Sequence, residues 1–182
     1  GVRLAFDRIE RDIRTIAAGE TRYITVAAST SLSAHWLVPQ LQGFQQANPG
    51  IRIKIVTTDR DVDPDFEIDM TVWLRGRDFR RKHSWRICDE VIFPICSPLY
   101  LSKAKPIASV ADLRDHPLLH SVDQHRKRIG WSEWLAEIGA ETPELVPSLV
   151  FNDYQLSVQA ALAGEGIALG WSLTTQLLLR SN

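Results

Sequence analysis

Only two of the 182 residues are cysteine, Cys88 and Cys96, and only one is methionine. Two thiols without metal-type spacing make neither a disulfide scaffold nor a zinc site, and they fit a reducing, cytoplasmic setting. No apolar run approaches the roughly 20 residues of a membrane span, and no signal-peptide pattern opens the chain. Neither sign of charge prevails. The 21 Lys and Arg are matched by 22 Asp and Glu, a formal net charge of −1, which speaks against a phosphate-gripping nucleic-acid domain. Catalytic signatures are missing too: there is no Walker A loop, no Gly-x-Ser-x-Gly elbow and no His-Glu-x-x-His. Gly164-Glu165-Gly166 follows a helix rather than a strand, so it is not a dinucleotide loop. His116 and His120 have the spacing of a helical metal pair, but Pro117 between them breaks that helix. An enzyme, a metal site and a cofactor are therefore not expected.

What is present is an ordinary soluble composition, 45% hydrophobic and 24% charged, in a chain long enough to bury a core without disulfides. Tryptophan is the exception, with six residues at 36, 73, 85, 131, 134 and 171. The leading stretch Val2–Ala18 spaces Val2, Phe6, Ile9, Ile13 and Ile16 at 4, 3, 4 and 3, an a/d seam of about two heptads. Gly19 stops it. Such a seam is either a helix–helix dimer or connecting segment, or an amphipathic helix packed on its own domain. A chain that opens in mid-helix without Met reads as part of something longer.

After Gly19, strands and helices alternate. Tyr23–Ala28 is β-rich; a helical stretch with Leu32, Trp36, Leu37, Leu41 and Phe44 follows, and Pro39 inside it predicts a kink or a fresh helical start there. Ile51–Thr57, Met70–Leu74 and Ile87–Cys96 read as strands, the last placing Cys88 and Cys96 on one packed face. Ser109 caps a short helix to Leu113, Leu118–Val122 is a strand, and Trp131–Ile138 is a helix. Leu149–Phe151, the helix Tyr154–Ala163 between Asp153 and Gly164, the strand Ile167–Trp171 and the helix Ser172–Leu179 complete the chain. Strands separated by helices predict parallel sheets and βαβ units. The fold class is α/β, with two small lobes dividing at Cys96–Pro98.

Binding chemistry concentrates at two strand-to-helix turns. Ser29-Thr30-Ser31 presents three hydroxyls and free backbone N–H groups at one point, a setting for an anion or polar ligand as well as for simple capping. Asn152-Asp153 repeats the geometry in the second half. Ligands of parallel α/β sheets bind outside the carboxyl ends of strands, so the two turns are expected to face each other across a cleft. Trp73 and Trp171 end predicted strands, where they line that cleft or pack in the core. The acidic stretch Asp59–Asp69 reads as a solvated loop.

These pieces have a family likeness. Ile24-Thr25-Val26, Ser31, Trp36-Leu37-Val38-Pro39-x-Leu41-x-x-Phe44 and Asn48-Pro49 resemble the opening of the LysR-type transcriptional regulator effector-binding domain. The likeness continues through Asp61-Val62-Asp63, Asp69-Met70-Thr71-Val72, Gly76 and Phe93-Pro94-Ile95-Cys96-Ser97-Pro98. It extends over Asp112-Leu113, His116-Pro117-Leu118-Leu119-His120 and Phe151-Asn152-Asp153, and ends in Gln159-Ala160-Ala161-x-Ala163-Gly164-x-Gly166-Ile167-Ala168-Leu169-Gly170. The branch it most resembles is the glycine-cleavage-activator and β-lactamase-regulator group.

The resemblance implies two Rossmann-like lobes of the periplasmic-binding-protein type II kind. Residues 1–19 would end a linker helix that pairs subunits, 20–97 would form regulatory lobe I, and 98–182 regulatory lobe II. A winged helix-turn-helix that binds DNA would precede the chain, and a C-terminal return to lobe I would follow it. The implied partners are a small-molecule effector, DNA through that preceding domain, and further copies in a homodimer or homotetramer. The implied effector contacts are Thr30, Ser31 and Leu32, then Thr58, then Asn152, Asp153 and Tyr154; Ser29, Trp73 and Trp171 join them from the reading of the turns. Tyr154-Gln155 stands where relatives often carry two serines. An organic acid or amino-acid-like effector is the default, and aromatic walls would suit a cationic one. The rivals are a solute-binding protein of a transport system, which shares the fold, and a small two-lobed enzyme.

Overall fold

A computed structural model describes residues 23–58, 68–73, 83–122, 129–140 and 145–181. The heptad seam at 1–19, most of the acidic stretch, Leu74 and Gly76 lie outside the described residues.

The first sheet is built around β1 (Tyr23–Ala28). It pairs in parallel with β2 (Arg52–Thr57) on one side and β3 (Met70–Val72) on the other. Its Thr25, Val26, Ala27 and Ala28 are all buried, as expected of a central parallel strand covered on both faces. β2 is an edge strand and alternates accordingly, with Ile53 and Ile55 against the core and Arg52 and Lys54 exposed. From β1 the chain enters one helical run made of α1 (Thr30–Leu32), a π-helical segment (Ser33–Leu37) and α2 (Val38–Ala47). Of the kink or fresh helical start expected at Pro39, the structure has the second: α2 starts at Val38, directly after the π turn. Pro39 has no N–H to give and its ring would strike the carbonyl of His35; one wider turn before it removes both conflicts without breaking the helix.

The second sheet has the order β4-β7-β5-β6, from β4 (Ile92–Ile95), β5 (Leu118–Ser121), β6 (Leu149–Phe151) and β7 (Ile167–Trp171). β4 runs antiparallel to β7; the other pairings are parallel. All five residues of β7 are buried. Leu118, Ile167 and Leu169 face a core with Trp131 and Trp134 of α4 (Trp131–Glu137). Leu119 and Ala168 face the opposite way, onto Ala161 of α5 (Tyr154–Ala163). Gly164 caps α5 at φ +88°, a left-handed position that a side chain would strain. A short helix α3 (Pro98–Leu101) and a 3-10 turn (Val110–Asp115) join β4 to β5, and α6 (Ser172–Ser181) follows β7.

Three sequence expectations need correction. The strand expected over Ile87–Cys96 is only Ile92–Ile95. Residues 87–91 belong to that expected strand, but among the described residues no strand lies beside them to pair with, because they travel between sheets. Cys88 is therefore exposed rather than packed. The sheets also divide earlier than 97/98: β4 already belongs to the second sheet, with Pro94 tolerated because β4 is an edge. Finally, α6 does not stay with the second lobe. It lies against the π segment, and Leu173 packs into the first core beside Val26, Leu32 and Leu37.

Candidate functional site

The three strands of the first sheet end level. Ala28 is in register with Thr57 and with Val72, so Ser29, Thr58 and Trp73 are the next residues of neighbouring strands along one carboxyl edge. The Thr58 N–H donates to the Ala28 carbonyl at 3.0 Å, which holds the edge together. In the second sheet Ser121 is in register with Phe151, and Asn152 is the next residue on that edge. Helix α1 lies against both α5 and α6. The strand-to-helix turn of the first lobe thus meets the second lobe at the helix that starts from Asn152-Asp153.

Within the first turn the hydroxyls divide their work. Ser29 is the N-cap of α1: its Oγ accepts the Leu32 N–H at 3.3 Å and its carbonyl accepts the Ser33 N–H at 2.9 Å. Leu32 spends its side chain in the first core. Thr30 is half-buried and Ser31 is 4% exposed. In the second turn Asp153 is the N-cap of α5, its carboxylate accepting the Gln155 N–H at 2.7 Å, while Asn152 is exposed. Tyr154 and Trp171 are both buried and meet edge to face, 6.4 Å between ring centres. The Tyr154 hydroxyl accepts the Trp171 N–H at 3.0 Å and lies 3.4 Å from Thr174 Oγ1. These two aromatics tie α5 to β7 and α6. Trp73 is half-buried.

Residues that the sequence reading passed over also matter. Ser33 Oγ and His35 Nε2 of the π segment, and Gln155 Oε1 of α5, are buried without a hydrogen-bond partner. A buried polar atom left unpaired costs about 1–3 kcal/mol unless something satisfies it. Their only sequence signal was position: one or two turns beyond Ser29-Thr30-Ser31, and directly after Asp153-Tyr154. A separate pocket of about 130 Å³ lies between α5, α6 and the end of β4, walled by Val158, Leu162, Cys96 and Leu178. None of the residues expected at the site lines it. Burial raises the Cys96 thiol above its usual range. Among the described residues no cluster of His, Cys, Asp and Glu could hold a metal ion, and no helix is long and apolar enough to cross a membrane.

Comparison with known proteins gives a consistent set of relatives. The sequence pattern of the LysR substrate binding domain matches residues 17–182. The glycine cleavage system transcriptional activator of Escherichia coli K12 is 30% identical over 154 residues, which cover 84% of this chain and 49% of that protein. The transcriptional activator AmpR of Pseudomonas aeruginosa is 29% identical over 169 residues, covering 91% and 54%. Among solved structures, the AmpR effector binding domain of Citrobacter freundii is similar at a TM-score of 0.63 and 27% identity, covering 88% of this chain and 78% of that one. The chain spans about half the length of the curated relatives it matches.

Proposed function

The chain belongs to the LysR substrate binding domain family, and we propose that it is the effector-sensing part of a longer DNA-binding regulator. A small organic acid or amino-acid-like molecule binds between the carboxyl edges of the two sheets. Ser29, Thr30, Ser31, Thr58 and Trp73 serve it from the first lobe, and Asn152 and Asp153 from the second. Leu32, Tyr154 and Trp171 support the walls from the core. The observation that carries this reading is the meeting of α1 with α5 and α6, with buried, unpaired Ser33 Oγ and Gln155 Oε1 on those same elements.

Binding across two lobes favours the arrangement with the higher affinity, and only that difference in affinity shifts the population. Coupling of about 1–3 kcal/mol to the rest of the protein is the expected scale. In the whole protein, DNA is contacted by a domain outside this chain, the working unit is a homodimer or homotetramer, and the setting is cytoplasmic. Relatives named as transcriptional activators support a regulator over a transport protein or an enzyme.

A thermal-shift panel of amino acids, small carboxylates and quaternary amines tests the proposal. One chemical class should stabilise the chain saturably, and Ser31→Ala should weaken that response while leaving the ligand-free melting temperature close to wild type. A Ser31→Ala chain that melts many degrees lower yet binds as tightly would make Ser31 structural and overturn the site.

A further inference from the structure

Among the described residues the chain passes between its lobes twice. Between Val72 of β3 and Ile92 of β4 it leaves the first sheet for the second. At Ser172 it leaves β7, and α6 takes it back against the π segment, with Leu173 in the first core. These passages meet at one carboxylate. Ser172 Oγ donates to Glu90 Oε1 at 2.6 Å, and the Leu173 N–H donates to the same oxygen at 3.0 Å. The Val91 N–H donates to Ser172 Oγ at 3.1 Å, and the Ser172 N–H to the Val91 carbonyl at 2.9 Å. Four hydrogen bonds thus join residues about 80 positions apart, two of them to a charged acceptor, the stronger kind. The carboxylate also stands at the N-terminus of α6, where the helix dipole favours a negative charge.

Flanking residues share little in this restraint. Arg86 and Asp89 pair with each other at 3.2 Å and are largely exposed, and Trp85, Ile87 and Val91 face solvent. Glu90 is half-buried. Without it, the exposed Trp85, Ile87 and Val91 give 85–91 little packing to hold its direction, while α6 stays anchored in the first core through Leu173.

We infer that Glu90 and Ser172 form a latch between the two interlobe passages, and that this latch sets the angle between the lobes in the ligand-free chain. It fixes the start of α6 to the start of β4, so that without a ligand the first lobe follows the second. The inference uses the two-lobed fold and not effector binding, and a ligand-free measurement separates the two.

Spin labels at exposed Gln46 of α2 and Ser132 of α4, with Cys88 and Cys96 replaced by serine, report the interlobe distance. Ligand-free wild type should give one narrow distribution. Glu90→Ala should broaden it, and Glu90→Gln, whose amide oxygen still accepts both bonds, should stay narrower than Glu90→Ala. If Glu90→Ala does not fold, Ser172→Ala carries the same test with hydrogen exchange. There the Val91 amide loses its acceptor and should exchange roughly twofold to tenfold faster, the range for losing one exposed hydrogen bond. A distribution as narrow in Glu90→Ala as in wild type, one as broad in Glu90→Gln as in Glu90→Ala, or an unchanged Val91 exchange rate in Ser172→Ala overturns the latch.

Discussion

The hydroxyl of Tyr154, the first residue of α5, accepts the backbone N–H of Trp171, the last residue of β7, at 3.0 Å in a buried setting. Trp171 in turn accepts Thr174 and Thr175 hydroxyls on its carbonyl at 3.0 and 2.9 Å. One phenol therefore connects the turn at Asn152-Asp153 to the helix that reaches the first lobe. Tyr154→Phe keeps the ring contact and strands the Trp171 N–H, which should cost about 1–3 kcal/mol in urea unfolding. An unchanged midpoint and slope would show that the phenol is dispensable.

The six tryptophans should separate sharply by substitution. Trp131 is buried, with its indole N–H donating to the Leu119 carbonyl at 3.1 Å and its ring edge-on to Trp134. Trp131→Ala should cost about 3–5 kcal/mol. Trp85 is 82% exposed, and Trp85→Ala should stay within about 0.5 kcal/mol of wild type. Comparable losses at both positions would contradict the placement of the second core.

The two thiols should alkylate slowly near neutral pH. Burial raises both above their usual 9.0, and Glu90 and Asp89 add to the rise at Cys88. The thiolate is the nucleophile, so rates should climb only as pH passes that value. Cys96, less accessible in its apolar pocket wall, should be the slower of the two. A thiol that reacts at pH 8 as fast as free cysteine would show an environment different from the one described.

Asp112 contributes a pH-dependent cap. Its carboxylate accepts the Ser109 and Ala108 N–H groups at 2.7 and 2.9 Å, and these bonds lower its pKa below the usual 3.8. A lowered folded pKa means stability present above the unfolded value and lost as pH falls through the folded one. Asp112→Ala should therefore melt below wild type at pH 7, and the gap should close as the pH drops below about 3.8. A gap that persists at pH 2 would assign the effect to something other than the carboxylate.

Where the determinants were local, residues alone settled the structure. Alternating and β-branched residues delimited β1, β6 and β7 to the residue, and Asp153 with Gly164 delimited α5. The residue types at the two turns likewise marked both carboxyl edges. Tertiary structure decided whatever depended on a distant partner. Residues 87–91 look like a strand until, among the described residues, no edge is there to pair with them; Tyr154 and Trp171 read as effector contacts or core residues, and only the fold pairs them with each other. The π turn before Pro39 exists because a helix can widen instead of breaking. Glu90 carries no local signal, because its partners Ser172 and Leu173 lie 82 and 83 positions away. Caps and hydrophobic periods act within a turn or two, whereas strand pairing, burial and interlobe contacts are set by which segments the whole fold brings together.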